Sequence, residues 1–251
     1  MLGTEGDTST ELLVPLSRSR RRAAIVPERG FLELFEKKAR LLPDGAALIE
    51  SQLRHVQYAR AGSDVAKPDS RSAFVIGGWL GRNQDLKSGH RQLVDLCLPG
   101  EMMFFNQSAQ DERSYVCLTD VQYVDVTEVL LQAEADPSLH PDLTAAFHAF
   151  SADVERRLVE QVVRIGAMRA VERMADLALD LYERLDAAAL AIDDCFPMAL
   201  SQEQLGNLLG ISAVHVNRTL QYLRQMKLIK TEYDRWKLLD RDRLRALVPT
   251  R

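Results

Sequence analysis

The sequence predicts an α+β chain: an antiparallel β domain, then a long helix, then a capped helix pair with a wing behind it. Three observations carry this prediction. Short apolar stretches punctuated by turn residues fill positions 56–129, an apolar repeat of three or four residues follows from Phe147 to Ile165, and Ser201 to Ser212 holds the caps and glycines of a helix-turn-helix. The chain has 251 residues, 46% of them hydrophobic, enough for packed cores in one large domain or two moderate ones.

From the start, residues 1–28 are Ser/Thr-rich, carry the basic run Arg18-Ser19-Arg20-Arg21-Arg22 and lack a hydrophobic period, so a flexible basic arm is expected. Phe31, Leu32, Leu34 and Phe35 mark a short helix, and Ala46 to Leu53 another after Pro43-Asp44-Gly45. The strand candidates are Phe74-Val75-Ile76, Leu93 to Leu98, Ser114 to Leu118 and Val121 to Val126. Gly77-Gly78, Lys87-Ser88-Gly89 and Pro99-Gly100 separate them. Such spacing suits a compact sandwich or barrel over residues 29–136.

Beyond Asp136-Pro137 the period is helical. Phe147, Phe150, Val154, Leu158, Val162 and Ile165 form one stripe, and Glu155, Arg156, Arg157, Glu160 and Arg164 between them should face water. The stripe is longer than a small β domain needs for its own cover, so residues 137–168 are assigned as a dimerisation helix with that stripe as the homodimer interface. A second helix from about Ala170 to Leu185 carries Met174, Leu177, Ala178 and Leu181.

The third region, residues 169–251, contains the most specific signal. Ser201 and Gln204 form a capping box that starts one helix, Gly210 stops it, and Ser212 caps a second helix running to about Met226. Gly206 allows the close crossing that so short a turn imposes. Leu205, Leu208, Leu209, Ile211, Val216, Leu220 and Leu223 supply a shared core, leaving Ala213, Val214, His215, Asn217, Arg218 and Gln221 outside it beside the Ser212 cap. Asn and Arg can read adenine and guanine, and Val or Ala can touch the thymine methyl. Leu228 to Thr231, Tyr233 to Arg235 and Trp236 to Leu239 follow as strand, turn and strand, a wing that brings Lys230, Arg235 and Lys237 near phosphates. Charge agrees with this placement. From Pro197 to Arg251 there are ten Lys or Arg against five Asp or Glu, a net +5 in a chain whose total is −4.

Other classes fit poorly. The longest apolar runs, such as Ala187 to Ile192, fall far short of the roughly 20 residues that cross a bilayer, and the N-terminus lacks a signal-peptide pattern, so a cytoplasmic protein with no membrane partner is expected. Cys97, Cys117 and Cys195 are odd in number and widely spaced, suggesting neither a disulfide framework nor a zinc site. His55, His90, His140, His148 and His215 make no recognisable metal or haem set. GxSxG, P-loop, HExxH and dinucleotide fingerprints are absent, which argues against an enzyme.

Residues 30 to 248 resemble the Crp/Fnr superfamily of bacterial transcription regulators, most specifically over Ser201 to Ile229 and in the phrase His215-Val216-Asn217-Arg218-Thr219-Leu220-Gln221. The resemblance implies a cyclic-nucleotide-binding-like β-roll, a long dimer helix and a winged helix-turn-helix: a homodimer binding double-stranded DNA at a two-fold-related operator and meeting RNA polymerase. It implies Ala213, Val214, Asn217 and Arg218 as reading positions. Many members carry Arg and Glu where this chain has Ala213 and Val214, so the family's familiar operators are not implied. Leu98-Pro99-Gly100-Glu101, followed by Glu112-Arg113-Ser114, is similar to the family's phosphate-cradling segment and makes Gly100, Glu101, Arg113 and Ser114 candidate ligand residues. The bulky Met102 to Gln107, and Leu158 and Val159 where relatives place hydroxyls, depart from that pattern, so the effector stays open between a cyclic nucleotide, another small ligand and none. Metal, haem and iron–sulfur groups are not expected. The alternative function is a cyclic-nucleotide-binding effector module whose helical tail binds protein instead of DNA.

Overall fold

The structure is a computed structural model and describes residues 28–65, 70–105 and 113–249. The basic arm expected over residues 1–28 lies outside them except for Glu28. Two helices lead in, α1 (Glu28–Glu36) and α2 (Pro43–Gln52), with a 3-10 turn at Leu53–His55. Eight strands follow: β1 (Val56–Ala59), β2 (Asp64–Val65), β3 (Ser72–Gly77), β4 (Leu80–Asp85), β5 (Arg91–Cys97), β6 (Met102–Phe104), β7 (Arg113–Cys117) and β8 (Val121–Asp125). They form two antiparallel four-stranded sheets, ordered β1-β8-β3-β6 and β2-β7-β4-β5. Val75, Leu80, Cys97, Met103, Tyr115 and Cys117 fill the space between the sheets.

The four apolar stretches in the sequence are strands β3, β5, β7 and β8. Strand β4 is the instructive omission. Its Gly81-Arg82-Asn83-Gln84 has no apolar alternation, yet β4 lies between β7 and β5, so its backbone groups are paired on both edges and its first four residues are buried. A helix, α3 (Thr127–Ala135), begins where the β domain was expected to continue to Val129.

Next come α4 (Pro141–Ala167) and α5 (Ala170–Ala187), which meet at a break where Met168 is extended at φ −104° and ψ 150°. The first half of α4 packs on the lead-in helices: Phe31, Phe35, Phe74, Phe147 and Phe150 form a ring cluster with centroid separations of 4.6 to 6.3 Å. Two expectations are therefore corrected. Phe147 and Phe150, assigned to the dimer interface, are 3% and 2% exposed in this chain's own core. Arg157 and Arg164, expected to face water, are buried, whereas Val162 and Ile165 are exposed.

The C-terminal part comprises β9 (Cys195–Pro197), α6 (Gln202–Leu209), α7 (Ala213–Gln225), β10 (Ile229–Glu232), β11 (Arg235–Leu238) and α8 (Arg241–Leu247). Strands β10, β11 and β9 make one antiparallel sheet. Its core is continuous with the outer face of the second β sheet: Trp79, Leu93 and Leu96 pack with Met174, Leu181, Leu205, Leu220 and Trp236. Helices α6 and α7 are thus seated on the β domain by apolar burial.

Candidate nucleic-acid interface

Local chemistry builds the helix pair. The Gln204 N–H donates to Ser201 Oγ at 3.1 Å, and the Ser201 N–H donates to Gln204 Oε1 at 2.8 Å, so α6 starts on a complete capping box. Gly210 ends it at φ 65°, a conformation that costs glycine no steric strain. Ser212 Oγ accepts the His215 N–H at 3.2 Å and starts α7. A β-carbon on Gly206 would lie 2.6 Å from the Ile211 carbonyl oxygen, so only glycine admits the crossing.

Burial on α7 is one-sided. Val216, Thr219, Leu220 and Leu223 face inward, while Val214, His215, Arg218 and Gln221 are exposed and Ala213 and Asn217 sit half-buried at the flank. Tyr222, missed in the sequence, extends the file Val214-Arg218 by one more step of four residues and is 43% exposed. Its signal was that spacing, obscured because a tyrosine reads as core.

The wing lies beside this face, with the Arg224 guanidinium donating to Thr231 Oγ1 at 3.0 Å. Lys230 and Lys237 are directly opposite each other on β10 and β11, and both are exposed. Like charges so placed repel; Glu232, paired with Lys230, offsets one of them. Tyr233 caps the turn at φ 38° and is fully exposed. Arg235, expected near phosphate, is half-buried at the turn end of the wing, opposite Glu232, its Nε donating to Cys195 Sγ at 3.2 Å.

The candidate ligand residues are differently employed. Glu101 is held by Arg184 through both oxygens, at 2.8 and 2.9 Å, and its Oε2 also accepts the Leu98 N–H at 3.0 Å. Arg157 stands 3.8 Å from Glu101 and 3.3 Å from Asp95. Burial alone would raise the Glu101 carboxyl, but Arg157 and Arg184 outweigh it and hold the pKa at about 2. Asp95, deeper among the same groups, is pushed up by burial. Glu101 is therefore an internal counter-charge joining β5, α4 and α5. Ser114 Oγ is buried without a hydrogen-bond partner on β7; the Arg113 side chain and Glu112 lie outside the described residues. Among the described residues, no His, Cys, Asp and Glu cluster is arranged to hold a metal ion, and no helix is long and apolar enough to cross a membrane.

Comparison with known proteins agrees with this geometry. Residues 172–247 match the Crp-like helix-turn-helix domain. Over 174 residues the chain is 29% identical to the nitrogen fixation regulation protein FixK of Azorhizobium caulinodans, covering 69% of each chain. It is 24% identical over 196 residues to FixK of Bradyrhizobium diazoefficiens, covering 77% of this chain and 81% of the other. Among solved structures, FixK2 from Bradyrhizobium japonicum shares the fold with a TM-score of 0.68 at 20% identity, over 78% of this chain and 98% of that one. A CRP/FNR-family transcriptional regulator from Thermus thermophilus gives 0.55 at 21% identity, over 77% and 97%.

Proposed function

We infer that this chain, which belongs to the Crp/Fnr superfamily, is a DNA-binding transcription regulator acting as a homodimer on a two-fold-related operator. The observation that carries this reading is the exposed α7 face, Val214, His215, Arg218 and Gln221, next to a wing that sets two lysines opposite each other. The helix enters the major groove, where Arg218 suits guanine and Val214 the thymine methyl, while Lys230 and Lys237 meet phosphate. A tail that binds protein would have no use for the wing's charge.

The homodimer reading rests on α4. Its second half exposes Val159, Val162, Val163 and Ile165. Ala152, Glu155, Val159, Val162 and Gly166 follow each other at steps of three and four, the spacing of a coiled-coil seam, with Val154 and Leu158 half-buried on its flank. Two copies side by side would bury the valines, and half-sites one turn of DNA apart would require their α7 helices roughly 34 Å from each other. The natural setting of such a regulator is the bacterial cytoplasm, with RNA polymerase as its further partner.

Fluorescence anisotropy on DNA fragments selected from random sequence tests the reading. Arg218→Ala should lose roughly 1–3 kcal/mol at the base it reads and relax preference there. If that variant binds every fragment as wild type does, the recognition-helix assignment is wrong.

A further inference from the structure

A helix leaves its last carbonyls without internal partners. At the end of α6 the oxygens of Asn207, Leu208 and Leu209 are taken by side chains from three different elements, the Asn207 oxygen also accepting the Gly210 N–H at 3.4 Å. Gln92 Nε2 of β5 donates to the Asn207 oxygen at 2.7 Å, Gln161 Nε2 of α4 to the Leu208 oxygen at 2.5 Å, and Arg173 Nη1 of α5 to the Leu209 oxygen at 2.8 Å. The Asn207 carboxamide adds two more bonds. Its Oδ1 accepts the Leu93 N–H at 2.7 Å and its Nδ2 donates to the Arg91 oxygen at 3.1 Å.

Strand β5 is the outer strand of its sheet, so the Arg91 and Leu93 groups belong to an open edge. A carboxamide presents an N–H donor beside a C=O acceptor, the pair of groups a strand edge matches, and Asn207 stands where the next strand would pair. Only two residues separate this joint from the start of the turn's second cap, Ser212, so a displacement of the α6 end is passed directly to α7.

We propose that Asn207 is a positioning residue for DNA reading: with Gln92, Gln161 and Arg173 it fixes α7 relative to α4, and so sets the half-site separation that a pair of chains accepts. The proposal rests on the homodimer reading above. The Asn207 carboxamide itself faces the β domain, where Leu93 and Arg91 hold it.

The experiment compares identical half-sites whose separation is lengthened or shortened by one and two base pairs, each step moving a half-site by about 3.4 Å and turning it about the axis. Full-length wild type, Asn207→Ala and Gln92→Ala are titrated by anisotropy, together with a duplex carrying one half-site. Wild type should favour one separation strongly. Asn207→Ala should flatten that preference by roughly tenfold, and Gln92→Ala by less, while affinity for the single half-site and its salt slope stay as in wild type. If wild type prefers a separation and both variants keep the same preference, the positioning role is overturned and the homodimer reading stands. A wild type indifferent to separation overturns the homodimer reading itself, and this proposal with it.

Discussion

The two halves of α4 bury opposite kinds of side chain. Between Leu143 and Phe150 the inward face is apolar and closed by aromatic neighbours; between Arg157 and Arg164 it is Arg157, Gln161 and Arg164, with valines outside. What differs is the partner each half meets. Arg164 finds Asp176 at 2.7 Å and the Gln161 oxygen at 2.7 Å, so its buried donors are satisfied. Val159 and Val162, among the described residues, are left largely exposed. The comparison teaches that polarity states what a side chain needs, and that the tertiary neighbours decide which way it faces.

The largest effects come from breaking each half in its own currency. Phe150→Ala should cost roughly 3–5 kcal/mol by opening a cavity. Arg164→Ala should cost about as much, because it removes a buried ion pair to Asp176 and a buried hydrogen bond to Gln161 together. Urea unfolding at pH 7 checks both, and an Arg164→Ala cost within about 0.5 kcal/mol would mark it as a surface arginine and undo the contrast. A smaller effect is expected from Val162→Asp on the exposed side. Helical circular dichroism should be unchanged, while sedimentation shows single chains and operator affinity falls by about 100-fold as the two half-sites bind separately.

The smallest effect sharpens the polar half through pH. Glu101 has a folded pKa of about 2 against an ordinary value of 4.5. A depressed carboxyl stabilises the fold above its unfolded pKa, and that contribution is lost as pH falls from about 4.5 to 2. Asp95, shifted upward, works in the opposite sense and reduces the net slope. Glu101→Gln should thus lower stability at pH 7 on the order of 2 kcal/mol and by much less near pH 2. Equal losses at the two pH values would show that the charge of Glu101 is not what stabilises the joint.

Legibility followed the range of the interactions. Strands β3, β5, β7 and β8 could be found because their apolar residues cluster, whereas β4 could not, its stability coming from strands on both sides. Arg218 and Gln221 were legible from the cap at Ser212, since a fixed start sets the face of the helix. Asn207 gave no signal: its partners Arg91 and Leu93 lie more than a hundred residues away, and an asparagine near a helix end reads as a local cap. Glu101 was ambiguous for a related reason. A Gly-Glu pair is the same short text whether its carboxylate waits for a ligand or holds Arg184.

By itself the sequence determined the helix-turn-helix, its wing and the basic balance of that end. Capping, glycine conformation and the 3.6-residue period act within about ten residues and need no distant partner. Only the tertiary structure decided which face of α4 is closed, that Glu101 is spent inside the protein, and that the end of α6 is tied to three elements at once. The ties at the end of α6 bring together donors and acceptors 36 to 116 residues apart, and no local pattern encodes where they will meet.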